Sequence, residues 1–577
     1  MVYNIRAVDN SDTPMPHRKS AFIRDIHALH FGKFLIFLPI VSGALLALPF
    51  FFGALWPIAF VGLVPFIVFI RLFRGSARAL FVWGFAGGLV YMGGVIAWFL
   101  NAAPAEWAGI SEPAIGWLLV GAVWLVAAVI LALCIGLWSL AAKYMQKRDF
   151  GDIIVVPALF VVFEYARAFF FSIVSAGSLD STLVGAHWSQ GFLGYAVSGN
   201  DIILQGAAWG GVYFLSFIGA TVNVGIAHAF FSSWKRGVAS VILVGILLAA
   251  FGFRADAMQG RAPTPDQKEQ GFVVAAIHTE FPSFFRLTDE VFTQRGETME
   301  EIIIRTAGAY KPAIIALPED TRFLFYLNDE SDAFAKRAFG DREVLLIDSA
   351  RTETREDIFS IAYSWNTKRE SVKYQFKNFL VPAGEFLPYL ISAPLSLFGG
   401  ESGRDAVASF SRGRGYTRGK SLGTAPFMNT STGVLFCSEI FSPQLYRRLV
   451  REKSAGILVN VASQSVFSGK QLDKQIIQMA RVRAVETGRY FIRSGNATPS
   501  FILDPRGNII AWEESLTGAA VGTVFPRTDQ TPYVRFGPWV VGFSFAVIFY
   551  SLWRTRVRAR IVHGSVLRAK ESDSSEA

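Results

Sequence analysis

The chain has 577 residues, of which 52% are hydrophobic, 14% aromatic and only 17% charged. A soluble globular protein carries about 25% charged residues, and the mean hydropathy of +0.38 departs in the same direction. Disorder, a fibrous repeat and a small disulfide scaffold are excluded. The net charge of +10 comes from 55 Lys and Arg against 45 Asp and Glu. Much of that excess lies in short loops between apolar runs and in the C-terminal tail. This fits a membrane-orientation signal and excludes a nucleic-acid partner, which would need the charge on one soluble face.

The N-terminal part reads as a membrane domain over 1–253. A spanning helix needs about 20 mostly apolar residues. Seven runs approach that requirement, near 34–51, 55–72, 79–100, 114–142, 152–173, 203–232 and 238–253. An eighth lies at 538–553, giving about eight spans. Orientation follows from Lys and Arg in short loops. They occur at Arg6 to Lys33, at Arg71, Arg74 and Arg78, at Lys143, Lys147 and Arg148, and at Lys235 and Arg236. They return in the tail over 554–577 at Arg554, Arg556, Arg558 and Arg560, whereas 101–113 and 174–202 contain none. Both termini are therefore expected inside and the large domain outside. Within the spans, Glu164 and Arg167 lie three apart on one helix face and are expected to pair. Residues 174–202 are long for a connector and are expected to pack on the soluble domain or to form part of a cavity, with His187 structural.

A polar linker at 254–270 precedes a soluble domain over 271–537. Short β-branched runs recur there at 272–277, 314–317, 344–347, 359–363, 433–436, 457–461, 490–493 and 501–503. Helical patterns lie between them, most clearly at 289–308 and 474–487. Strands interleaved with helices imply an α/β layered domain with a mixed sheet.

Three of these segments end on a reactive residue. Ile314 to Leu317 runs into Pro318 and Glu319; Phe376 precedes Lys377, with Glu385 eight residues on; Gly433 to Phe436 runs into Cys437, Ser438 and Glu439. Singly, each has an ordinary reading as a solvated turn, a surface lysine or a small buried thiol. Together they fit one chemistry. A thiol nucleophile needs a base, which Glu319 can supply. The oxyanion of a tetrahedral intermediate needs fixed charge or N–H donors, available from Lys377 and the Ser438 backbone. The other cysteine, Cys134, lies inside an apolar run, so a disulfide to Cys437 is not expected.

At these residues the chain resembles the nitrilase, or carbon–nitrogen hydrolase, superfamily, whose mark is Glu, Lys and Cys in that order. With the membrane half included, it resembles the bacterial apolipoprotein N-acyltransferase family. The matching stretches are 377–388, 478–488, 504–507 and 533–537, with Glu164 to Arg167, Leu204-Gln205 and Tyr213 to Phe217 in the membrane half. Leu317, Ser438 and Ser463 to Phe467 depart from the family pattern, which bears on acceptor recognition.

The resemblance implies an αββα sandwich on a helical bundle, with Glu319 as base, Lys377 as transition-state lysine, Cys437 as nucleophile and Glu385 in support. Ser438 and Glu439, beside the nucleophile, are taken as supporting residues. It implies acyl transfer from a phospholipid, through a thioester, to the amine of a diacylglyceryl-cysteine lipoprotein. The site would lie on the outer face of the bacterial cytoplasmic (inner) membrane, in a monomer. No cofactor or metal is expected, since no metal-ligand spacing is present. A membrane-anchored amidase would use the same three residues; a non-catalytic scaffold and a transporter are the other readings. The connector at 389–425 carries Leu395, Leu397 and Phe398 and then five basic residues from Arg404 to Lys420. It is expected to be either a solvated loop or a mobile arm that dips into the interface.

Overall fold

The computed structural model describes residues 34–146, 151–231 and 271–575, apart from 284–286, 356, 370 and 468. Between 232 and 270 only 238, 242 and 244–246 are described, so the run at 238–253 and the linker lie outside the described residues.

Among the described residues, five helices in the N-terminal part are long and apolar enough to cross a membrane: Gly53–Leu72, Ala77–Val95, Pro113–Met145, Asp152–Val174 and Ala207–Ala229. The protein is a membrane protein. Two expected spans differ from their sequence reading. The first is a helix of only 14 residues, Leu38–Phe51, with a proline in its first turn. Pro39 lacks an N–H and fixes φ, so it suits a helix start and not an interior. The last expected span is part of a 37-residue helix, Trp539–Ser575, that continues into the basic tail. It is not among the five apolar helices.

Glu164 and Arg167 do not pair with each other. The Leu193 N–H donates to Glu164 Oε1 at 2.6 Å, and Arg167 Nη2 donates to the Gln190 carbonyl at 3.2 Å. Both side chains fasten the 175–206 segment to the spans. The helix at Ala207–Phe231 is broken at Gly210 and Gly211, where φ of Gly211 is +69°. A Cβ at Gly211 would meet the Tyr533 ring at 2.6 Å and Glu486 Oε1 at 2.9 Å, so only glycine fits.

Among the described residues, twelve strands build the C-terminal part. They are β1 (Phe272–Thr279), β2 (Ile314–Ala316), β3 (Leu345–Glu353), β4 (Ile358–Asn366), β5 (Ser371–Phe376), β6 (Ala425–Phe427), β7 (Thr430–Phe436), β8 (Ile457–Ser463), β9 (Tyr490–Asn496), β10 (Ser500–Leu503), β11 (Ile509–Glu513) and β12 (Thr517–Val524). The order is β5-β4-β3-β2-β1-β9-β8-β7-β6, with β12 antiparallel along β1 and the β10–β11 hairpin beside β9. Alternation assigns the faces. Val274 and Ala276 of β1 pack with Val434 and Phe436 of β7 and Val459 of β8 in an inner layer. Ala275 and Ile277 pack on Met299, Ile302 and Ile303 of the helix Asp289–Tyr310. Leu435 and Leu458 pack on Leu445 and Leu449 of Pro443–Lys453 and on Met479 and Val482 of Lys470–Thr487. The continuous strand order thus folds over on itself into two facing layers between helices, the expected αββα sandwich.

The second helical layer is continuous with the membrane core. Gln475 Nε2 donates to the Val95 carbonyl at 2.9 Å and Gln471 Nε2 to that of Gly94 at 2.9 Å, both at the C-terminal end of the helix Ala77–Val95. Glu486 Oε1 accepts from the Val212 N–H at 2.7 Å, just past the helix break. Each of these bonds satisfies a helix-end or broken-helix group that would otherwise be buried unpaired.

Candidate active site

Strands β7, β8, β9, β1, β2 and β3 run parallel to one another, and β5 runs the same way after two antiparallel reversals. Their C-terminal ends therefore gather on one rim. Glu319 follows β2, Lys377 follows β5, Cys437 follows β7, and Ser463 and Asn496 close β8 and β9. Residues 177 positions apart in Glu319 and Asn496 are brought to one mouth by topology alone.

Lys377 is the hub. Its side chain is 3% exposed, and its ammonium lies 3.0 Å from Glu319 Oε1 and 2.6 Å from Glu385 Oε1. Glu385 belongs to a tight turn in which its own N–H and that of Gly384 donate to the Val381 carbonyl. Its Oε2 accepts from the Val381 N–H at 2.8 Å, so one carboxylate both closes the turn and holds the lysine. Burial alone would lower the Lys377 ammonium, but Glu319 and Glu385 overcome it and hold it well above its ordinary value. Burial raises the Glu319 carboxyl, with Lys377 opposing. A carboxyl pushed up in this way is a better match for a thiol proton than a free one.

Cys437 is partly exposed at the first position of a 3-10 turn, Cys437–Phe441, directly after extended Phe436. Its Sγ lies 3.6 Å from the Ser463 carbonyl. Glu439 makes the elbow rigid. Its Oε2 accepts from the Phe436 N–H at 2.7 Å, and its Oε1 accepts from the N–H groups of Asn378 and Phe379 at 2.7 and 3.1 Å. Ser438 Oγ donates to the Phe379 carbonyl at 2.9 Å. These two side chains thus tie the cysteine elbow to the lysine loop. Burial pushes the Glu439 carboxyl up to about 7.

Sequence reasoning missed the buttress behind the elbow. Ser189 donates from its backbone N–H to the Phe441 carbonyl at 3.2 Å, and Trp188 lies 4.8 Å from the Phe441 ring. His187 Nδ1 is 2.7 Å from Ser442 Oγ, and burial pushes the imidazole down to about 4, so it stays neutral. This segment belongs to the membrane half, so no local sequence signal linked it to Cys437. The expectation that it packs on the soluble domain agrees with these bonds. Asn460 and Arg493 were also missed, although a polar residue inside an apolar strand run is a readable signal.

Two cavities flank the rim. One, of about 280 Å³, is apolar and lies between the spans and the lysine loop, lined by Trp98, Leu119, Val123, Pro382, Ile391 and Leu395 among others. The other, of about 420 Å³, is polar and opens beside Glu319, lined by Arg295, Asp320, Arg322, Arg351 and Ser463 among others. The rim can therefore receive a molecule with an apolar chain on one side and a polar body on the other.

Comparison with known proteins agrees with both halves. The family described as apolipoprotein N-acyltransferase N-terminal domain matches residues 42–225. The carbon–nitrogen hydrolase family matches residues 395–523, which include Cys437 but not Glu319 or Lys377. A protein of Neisseria meningitidis serogroup A named apolipoprotein N-acyltransferase is 23% identical over 74% of this chain and 79% of its own length. One of the same name from Geobacter metallireducens is 26% identical over 86% of this chain and 91% of its own length. A third, from Allorhizobium ampelinum, is 27% identical over 76% and 79%. Among solved structures, a variant of an amidase from Nesterenkonia sp. AN1 matches with 13% identity over 47% of this chain and 99% of that chain, at a TM-score of 0.33.

Proposed function

We propose that this chain, which belongs to the apolipoprotein N-acyltransferase family, moves an acyl chain from a membrane phospholipid to the N-terminal amine of a diacylglyceryl-cysteine lipoprotein. The observation that carries the reading is the buried Lys377 ammonium held between Glu319 and Glu385 on the rim where Cys437 emerges, beside an apolar cavity bordered by spans. Residues 271–537 act as the catalytic domain on the outer side of the inner membrane, 1–253 and 538–553 hold it there, and the protein works as a monomer.

The reaction runs in two steps. Glu319 takes the proton from Cys437, and the thiolate attacks the ester carbonyl of the phospholipid. The oxyanion forms beside the Lys377 ammonium, whose charge is fixed before the substrate arrives and so needs no reorganisation. Collapse breaks the ester bond, and the lysophospholipid oxygen leaves with the proton held on Glu319. Cys437 then carries a thioester. In the second step the lipoprotein amine attacks the thioester, Glu319 removes the ammonium proton, and the amide leaves as Cys437 regains that proton. Both substrates carry apolar tails, which the cavity between the spans and the lysine loop can accept.

Mass spectrometry of a lipoprotein N-terminus, in cells with and without this protein, tests the reading. The expected result is an extra acyl chain on the amine that is lost with Cys437→Ala. Release of free fatty acid with no acylated amine would instead favour an amidase-like hydrolysis.

A further inference from the structure

Arg493 sits on β9 with no exposed surface. Among the described residues no carboxylate forms an ion pair with it, and its Nε has no hydrogen-bond partner. A guanidinium keeps its charge in proteins, and an unpaired buried charge is costly. Such a group needs a reason to be where it is.

The sheet register supplies one. Arg493 lies beside Asn460 of β8, and Asn460 lies beside Leu435 of β7, two residues before Cys437. All three share the helix-facing side of the sheet, by alternation from Phe491, Leu458 and Leu435 in the layer packed on the helices. Arg493 Nη1 donates to Asn460 Oδ1. Asn460 Nδ2 donates to the Phe436 carbonyl at 3.0 Å and the Leu435 carbonyl at 3.3 Å, the last carbonyls before the elbow. With the Gln464 amide turned to donate to Asp473 Oδ1 at 3.0 Å, its oxygen accepts from Arg493 Nη2 at 3.1 Å. Gln464 follows Ser463, whose carbonyl faces the sulfur. The guanidinium is thus wired to both backbone segments that border the thiol.

We propose that Arg493 is a positioning residue for Cys437: a permanent cation buried behind the elbow, held there by Asn460 and Gln464, that favours the thiolate. This rests on the reading of Cys437 as nucleophile. The charged groups facing the thiol are Glu319 and Glu385, which oppose its ionisation, and Lys377 and Arg493, which favour it. Burial raises the thiol above its ordinary value, and Arg493 and Lys377 both oppose that rise. The helices packed on this face contribute Tyr446 and Asp473, and the elbow contributes Glu439; each of the first two is also within the field of Arg493. The division of labour is physical. Lys377 is neutralised by two carboxylates and stands at the oxyanion, whereas Arg493 has no counter-charge in contact and acts on the ground-state thiol.

The test is alkylation of Cys437 by iodoacetamide as a function of pH, in the full-length detergent-solubilised protein. A Cys134→Ala background leaves Cys437 as its only thiol. Arg493→Gln is expected to raise the alkylation midpoint by about one pH unit, which below the midpoint is about a tenfold slower reaction. Arg493→Lys keeps the charge and is expected to bring the midpoint back toward wild type. An unchanged midpoint in Arg493→Gln, or an Arg493→Lys midpoint as displaced as that of Arg493→Gln, overturns the proposal. Should Arg493→Gln fail to accumulate, Gln464→Glu sets a carboxylate against the guanidinium and should raise the midpoint, with no change again overturning the idea. The nucleophile reading fails by a different observation: a protein alkylated at Cys437 that still transfers acyl groups.

Discussion

At the scale of single residues, the two acidic neighbours of Lys377 make different losses separable. Glu319→Gln removes the proposed proton acceptor while Glu385 still holds the lysine at 2.6 Å. Thioester formation, read by single-turnover acylation, is expected to slow by roughly 10²–10⁴ with little change in stability. Lys377→Ala should slow the same step comparably and also destabilise the fold by about 1–3 kcal/mol, because it leaves two partly buried carboxylates without their cation. Wild-type acylation rates in either variant would remove that residue from the mechanism. Glu439 gives a pH prediction. Its carboxyl stands at about 7 in the folded protein against 4.5 as the ordinary value. Between those limits the folded state binds the proton and the unfolded state does not, so stability falls as pH rises. The melting-temperature advantage of wild type over Glu439→Gln should therefore be larger at pH 5 than at pH 8; an advantage that grows with pH would show Glu439 ionised throughout. The sequence made Glu319, Lys377 and Cys437 readable because each borders an apolar run, and Glu385 through the resemblance of the stretch 377–388. It did not reveal that Ser438 and Glu439 bind the Phe379 region, since those bonds cross 59 to 61 residues of chain.

At the scale of elements, the connector after the lysine loop is not a loop. It forms two helices, Tyr389–Phe398 and Gly400–Arg414, whose arginines lie on the second. The expectation of a solvated Gly/Arg-rich loop gives way because Tyr389 to Phe398 is apolar enough to hold a helix, and Gly399 and Gly400 only separate it from the next. Leu397 and Phe398 are 74% and 87% exposed at its tip, and Leu395 lines the apolar cavity. Burying a Leu or Phe side chain contributes about 1.5–3 kcal/mol each, enough for this tip to favour a lipid phase. Replacing Leu395, Leu397 and Phe398 with Ser should slow acylation of Cys437 by phospholipid, while a small soluble ester should react at near wild-type rate. Equal slowing with both would mean the arm only supports the site. Eight of the twelve strands were legible as β-branched runs. Strands β5, β6, β11 and β12 were not: β12 is rich in Gly and Ala, and Ser371–Phe376 alternates polar and apolar at an edge. For β5, β6 and β12 pairing, and not composition, makes the strand, whereas Ile509-Ile510-Ala511-Trp512 of β11 is a strand-prone run that the sequence reading passed over.

At the scale of the molecule, the topology expected from the loop charges can be tested apart from the chemistry. A reporter fused after residue 270 should report outside and one fused at residue 577 inside, with protease on intact spheroplasts reaching the domain but not the tail. The reverse pattern would overturn both the orientation and the lipoprotein reading. The sequence by itself determined the membrane character, the α/β layering and the reactive residue types, because hydropathy, alternation and chemistry are local properties of a few neighbouring residues. Only the tertiary structure decided that Glu164 and Arg167 hold the 175–206 segment instead of each other. It also decided that this segment backs the cysteine elbow, and that Arg493 lies behind it. Each of those pairings depends on which strand or span lies beside which, and that neighbourhood is set by packing between segments up to several hundred residues apart.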